Sequence, residues 1–218
     1  LAKAVLISIR PKWCEKIISG EKTIEVRKNR PKLETPFKAY IYCTTGRPDL
    51  NIPISQERLM QDYLNTGSMK SLNCPHGNGK VIGEFTCDRI YNIDKDSVDF
   101  IFTPTPNGYA VYKKAAEERC GLCAAMTDDE VHSYLGHFQG FGWHISDLKI
   151  YDTPKELSKF PRPFENCIDK VCDEFGCASC ENGGHIKRTP QSWCYVETLW
   201  YESEASYRDP WSRTPRAL

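Results

Sequence analysis

The chain has 218 residues, 40% hydrophobic and 27% charged, which suits one domain with insertions and a real core. Its 29 Lys and Arg balance 29 Asp and Glu, so a whole-molecule coat for a polyanion is excluded. No apolar run approaches the ~18 residues that span a bilayer, and the apolar stretch at 4–9 is too short, and too soon followed by charge, for a secretory signal.

In chain order, residues 5–9 predict a short β-strand that Arg10 and Pro11 end, with Pro11 suited to the first turn of a helix. Trp13, Ile17 and Ile18 recur at helical spacing over 11–19, and Gly20 is a C-terminal stop. Residues 23–26 alternate as a strand, and 37–44 form a second strand rich in aromatic and β-branched residues. Ser55 is placed to cap a helix carrying Leu59, Met60, Tyr63 and Leu64, and a turn-rich patch follows at 74–79. Residues 80–91 read as one strand, in which Gly83 marks a bulge or barrel bend. Thr127 and Glu130 form a capping box for a helix through Leu135, stopped by Gly136. Residues 141–151 read as one aromatic-rich strand, 154–160 as a helical turn, and 192–201 as the last strand. The segment 202–218 reads as a polar tail.

Short strands scattered between short helices and long loops point to an α+β protein, a small mixed β-barrel with loop insertions. Regular βαβ alternation and internal repeats are lacking. The domain is expected to cover 1–201, with insertions at about 46–79, 92–140 and 161–190.

Charge is unevenly placed. Residues 1–38 hold ten Lys and Arg against four Asp and Glu, so the remainder is six units acidic. A local basic face of this kind is the footprint of a phosphate-binding protein, or else a solvated surface. Within it, alternation puts Thr23, Glu25 and Arg27 on one strand face. Lys22 follows the helix-ending glycine directly, and its stem has the reach to curl toward Glu25 and Arg27. A cation, a carboxylate and a guanidinium at one helix–strand corner suit a phosphate, a base edge or a lysine tuned for proton transfer. The plain alternative is an exposed Glu25–Arg27 ion pair worth ~0–1 kcal/mol.

Gly20-x-Lys22-x-x-Glu25-x-Arg27, preceded by a strand and a short helix, resembles the signature of the ASCH domain family of the PUA-like superfamily. Residues 142–148 and 190–196 resemble the closing strands of phage and bacterial ASCH proteins, and the resemblance spans 3–45, 80–91 and 141–201. It implies a PUA-like barrel with flanking helices and a cleft lined by the motif. Superfamily relatives bind RNA or modified bases; some ASCH proteins are ribonucleases, and some small ones are amidohydrolases acting on acetylated cytidine. That last branch uses a Lys, a Thr and a Glu. Lys22 matches the first, but Glu25 stands where the threonine belongs, and Glu84 is only a candidate for the third. For a ribonuclease, Lys22 or Arg27 would stabilise a pentavalent phosphate with Glu25 as base.

The resulting expectation is a nucleic-acid-binding module for RNA or a modified nucleotide. Its ligand residues are Arg10, Lys22, Glu25, Arg27, His144, Ser146 and Trp193. The alternatives are a hydrolase using Lys22, Glu25 and Arg27, and an accessory module that binds a protein. Trp143 and His144 lie on opposite strand faces, so one of them faces the cleft and the other the core; Trp193 offers a stacking surface.

Eleven cysteines, an odd count without a secretory signal, argue for reduced thiols and a cytoplasmic setting. Cys167, Cys172, Cys177 and Cys180 supply four thiols within 14 residues, a set suited to a structural zinc that staples a loop lacking its own core. Free thiols and a disulfide are the alternatives. Cys120 and Cys123 make a second pair that reads as packing. No organic cofactor is expected.

Overall fold

A computed structural model describes residues 2–67, 75–93, 124–136, 139–163 and 184–198. The elements run β1 (Lys3–Ile9), α1 (Pro11–Ile18), β2 (Ile24–Arg27), β3 (Phe37–Cys43), α2 (Gln56–Thr66), β4 (Val81–Cys87) and β5 (Ile90–Ile93). Then follow α3 (Asp128–Leu135), β6 (Gly140–His144), β7 (Ser146–Lys155), a 3-10 turn (Leu157–Lys159) and β8 (Trp193–Glu197). The protein is α+β, as expected. Its strands, however, form two open sheets among the described residues rather than one closed barrel: five strands in the order β7-β4-β3-β1-β8, and three in the order β2-β6-β5.

The reason lies in two strands that the periodicity joins and the fold divides. The run at 80–91 breaks at Asp88 and Arg89, so β4 joins the large sheet and β5 the small one. The run at 141–151 breaks at Ile145, and β6 and β7 part in the same way. Just after the second break Asp147, inside β7 where its register with β4 shifts, has φ at 47°, a left-handed conformation that Asp tolerates better than most residues. The two corners lie side by side. The His144 amide donates to the Arg89 carbonyl at 2.9 Å, and His144 Nδ1 sits 2.6 Å from Asp88 Oδ1.

β1 and β3 pair in parallel, and every other pair is antiparallel. Both faces of these two central strands are covered, which explains their nearly unbroken apolar sequences. Val5, Ile7, Ile9, Phe37, Ala39, Ile41 and Cys43 face the main core. It is closed by Cys14 and Ile17 of α1 and by Trp143 and Ile145. Ala4, Leu6, Tyr40 and Tyr42 face a second cluster covered by Phe160 and Ile186. A third cluster joins Ile24, Val26, Tyr91 and Ile93 to Met126, Val131 and Leu135 of the α3 segment. The molecule is thus layered, with α1 and the small sheet against one face of the large sheet and α3 outside the small sheet.

α2 is capped as the sequence predicts, with the Arg58 amide donating to Ser55 Oγ at 3.2 Å. Its apolar residues Leu59, Met60, Tyr63 and Leu64 are exposed. Among the described residues no helix is long and apolar enough to cross a membrane.

Candidate functional site

Pro11 starts α1 with its φ already set for a helix. Gly20, at φ 79°, ends the turn in the left-handed region, where a residue with a Cβ is disfavoured. The Lys22 amide then donates to the Lys16 carbonyl at 2.8 Å and closes the corner. The chain leaves this corner straight into β2, which pairs with β6 in the register Glu25 to Trp143 and Arg27 to Phe141. The corner fixes where Lys22 starts, and the strand fixes Glu25 and Arg27 on one face.

All three side chains are buried, and they converge. Glu25 Oε1 is 2.9 Å from Arg27 Nη2, and Glu25 Oε2 is 3.4 Å from Lys22 Nζ. The exposed-pair alternative is therefore excluded. Lys22 curls as its position allows and spends its best donor on the Ala124 carbonyl at 2.7 Å. Its contact with Glu25 is an ion pair without hydrogen-bond geometry, and Glu25 Oε2 has no hydrogen-bond partner. Arg27 Nη2 also donates to the Ser8 carbonyl at 2.6 Å, and Nη1 reaches Ser192 Oγ at 3.4 Å. The guanidinium thus ties the small sheet to β1 and to the start of β8, while its Nε has no partner.

The triad lies on the floor of a cleft of about 790 Å³. One wall is the end of β1 with the start of α1: Ser8, Ile9, Arg10, Lys12 and Trp13. The other is Met126 with Glu130, Ser133 and Tyr134 of α3, and Thr44, Arg47 and Gln191 complete the rim. The cleft therefore opens where the parallel strands β1 and β3 end. Its lining carries five cations (Arg10, Lys12, Lys22, Arg27 and Arg47) against two carboxylates, Glu25 and Glu130. Two ammonium groups lie over the Trp13 ring, Lys12 Nζ at 4.4 Å and Lys22 Nζ at 5.3 Å from its centre. No side chain caps the N-terminus of α1, so its first amides and the positive end of its dipole add to the field at this wall.

Glu130 is the internal counter-charge at the rim. It meets Lys12 at 2.5 Å and accepts from the Thr127 amide at 3.0 Å, while Thr127 Oγ1 accepts from the Glu130 amide at 3.2 Å. This is the expected capping box. Burial opposes ionisation of Glu130, but the hydrogen bond and charge of Lys12 outweigh it and hold the carboxyl below its ordinary range. Tyr134 is shifted up, chiefly by burial, against the opposing charge of Arg27.

Of the residues expected to touch ligand, Arg10, Lys22, Glu25 and Arg27 line the cleft. His144 and Ser146 are placed at the sheet-to-sheet corner, where Ser146 Oγ donates to the Thr86 carbonyl at 2.8 Å. Trp143 is the residue of its strand that enters the core, edge-on to Phe37 at 5.7 Å. Trp193 packs on it at 6.1 Å. Glu84 is on the other face of the large sheet, bonded to Tyr151 Oη at 2.5 Å and to Lys38 Nζ at 2.9 Å. Cys167, Cys172, Cys177 and Cys180, like Cys120 and Cys123, lie outside the described residues, and no group of three metal-binding side chains occurs among the described ones.

Sequence reasoning missed Lys12, Trp13, Arg47, Glu130 and Tyr134. Lys12 and Trp13 had a local signal, because they follow Arg10 and Pro11 at a helix start facing a strand end. Arg47 and Tyr134 had none, since the fold alone carries them to the cleft.

Fold and site together define a class, an α+β domain with a cationic cleft at the ends of two parallel strands. The chain is similar to the crystal structure of ASCH from Zymomonas mobilis, with 17% identity, coverage of 89% of this chain and 87% of that one, and a TM-score of 0.45. It is likewise similar to two mutant forms of that protein. One shows 17% identity and coverage of 90% and 91%; the other shows 16% and coverage of 89% and 88%; both have a TM-score of 0.45. No family model matches the chain, and no curated protein matches it.

Proposed function

We propose that this chain is a nucleic-acid-binding module that takes a nucleotide of single-stranded RNA, plain or modified, into the cleft. The observation that carries this reading is the charge of the cleft, five cations against two carboxylates around the buried Lys22–Glu25–Arg27 floor. Such a surplus suits phosphate. The volume is that of a small-molecule site, ample for one unstacked nucleotide. Trp13 supplies an aromatic wall, and Glu25 and Arg27 bring a carboxylate and a guanidinium to the floor. Phosphate held by the rim and a base edge read at the floor is the division of labour that such groups support.

Arg10 and Arg47 are exposed rim residues and give the cleanest test. Fluorescence anisotropy of a labelled single-stranded RNA should show binding that weakens steeply between 50 and 200 mM salt, as phosphate contacts require. Arg10→Ala and Arg47→Ala should each weaken it by about tenfold at fixed salt, and each should lower the salt slope by about one. Binding that ignores salt and both substitutions would overturn the reading.

Hydrolysis is the second reading, and one observation favours it. Glu25 is a carboxylate on the cleft floor, 3.4 Å from Lys22 Nζ, and is the group placed to act as a base. Incubation with RNA and with N4-acetylcytidine tests it: product that disappears in Lys22→Ala supports it, and absence of product at high protein concentration removes it.

A further inference from the structure

Beyond the cleft, the basic segment 28–32 is not explained by the site just described. We infer that it is a track on which a nucleic-acid strand continues after leaving the cleft, so that the protein holds several nucleotides rather than one. The inference rests on the nucleic-acid reading of the cleft.

The track starts where the cleft ends. Arg27 and Tyr134 line the cleft; Lys28 follows Arg27 in sequence, and its Nζ sits 5.6 Å from the Tyr134 ring centre. From there the segment is laid across both sheets. The Arg30 guanidinium is 6.0 Å from the Phe141 ring centre on β6. The Lys32 amide donates to Tyr195 Oη on β8 at 2.8 Å. Pro31 is buried and pins the segment between these points. The segment thus runs from the rim of the cleft to the outer strand of the large sheet.

Lys28, Arg30 and Lys32 are all exposed. Among the described residues none of the three forms an ion pair. They alternate with Asn29 and Pro31, so a basic residue recurs at every second position, with successive Cα atoms at most about 7 Å apart. A row of separate charges on a held backbone suits a row of separate phosphates. An anionic membrane surface is the competing partner for such a row. It is disfavoured because the segment has no exposed apolar side chain to insert, Leu33 being half-buried.

The test compares labelled single-stranded RNAs of three and twelve nucleotides, using the full chain and its Lys28→Ala/Arg30→Ala/Lys32→Ala form. The native chain should bind the longer RNA more tightly. The triple variant should bind the shorter one unchanged, lose at least about tenfold on the longer one, and show a salt slope lower by about two. These side chains are exposed, so the variant's thermal midpoint should match the native value. Equal affinity of the native chain for both lengths would overturn the track. So would an unchanged affinity of the triple variant for the longer RNA, or a loss confined to vesicles containing phosphatidylserine. In each of those cases, short-RNA binding that is weakened in Arg47→Ala leaves the cleft reading standing. Failure of the native chain to bind either RNA would overturn both.

Discussion

Glu25 is the residue on which the site turns. It is buried between Lys22 and Arg27, so it compensates two charges that the fold has taken out of water. Removing one member of a buried ion network leaves the others uncompensated, at a cost of about 3 kcal/mol or more. Glu25→Gln keeps the shape and removes the charge. It should lower the unfolding free energy by about that amount in urea denaturation at neutral pH; a variant as stable as the native chain would show that the two cations are satisfied elsewhere. The motif was legible at this scale because alternation alone places Glu25 and Arg27 together, and the Gly20 corner leaves only a short reach for Lys22. His144 was not legible in the same way. Its polarity reads as a ligand group, whereas its Asp88 contact is with the corner of another strand.

The strands are defined as much by where they break as by where they form. β4 is the clearest case. Gly83 lies where the β4–β7 register shifts, and a Cβ there would press on the Lys149 carbonyl oxygen and on Ile150 of β7. The nearest of these atoms, the Lys149 carbonyl oxygen, is backbone and has little freedom to give. Gly83→Ala should therefore destabilise the protein by about 2 kcal/mol, with early loss of amide protection along β7 in hydrogen exchange. Protection equal to that of the native chain would mean that the bulge absorbs the methyl. The bulge itself was readable from a glycine inside an alternating strand. The breaks after Cys87 and His144 were not, since neither is marked by Gly or Pro and both arise because one run of residues pairs with two different sheets.

At the scale of the whole molecule, burial of Cys87 and Cys194 makes stability fall with rising pH in the alkaline range. Burial, reinforced by the charge of Asp88, lifts Cys87 from 9.0 to about 12. Burial also lifts Cys194 from 9.0 to about 11, against the opposing charge of Arg162, and it raises Tyr134 from 10.0. Above pH 9 the unfolded chain releases thiol protons that the folded chain keeps, so the unfolded state binds fewer protons and stability falls as pH rises. Cys87 alone accounts for a slope approaching about 1.4 kcal/mol per pH unit between its two values; Cys194, more open to solvent, contributes less. Urea midpoints measured from pH 8 to pH 11 should fall progressively, and Cys87→Ala should flatten the fall. A native curve that stays level over that range would exclude the mechanism.

The sequence by itself determined the local pieces: the α+β class, the helix after β1, the glycine corner, the capping box at Thr127 and the grouping of Lys22, Glu25 and Arg27. Each follows from interactions within a few residues, where backbone geometry and side-chain alternation leave few choices. Only the tertiary structure decided that two apparent strands are four, that among the described residues they divide between two sheets, and that Arg47, Glu130 and Tyr134 meet Trp13 around one cleft. Those outcomes depend on contacts between segments far apart in the chain, where burying apolar faces such as Trp143 against β1 and β3 outweighs local pattern. The same packing carries Arg10, Lys12, Lys22, Arg27 and Arg47 to one opening and makes a cationic cleft of what the sequence shows only as an excess of charge.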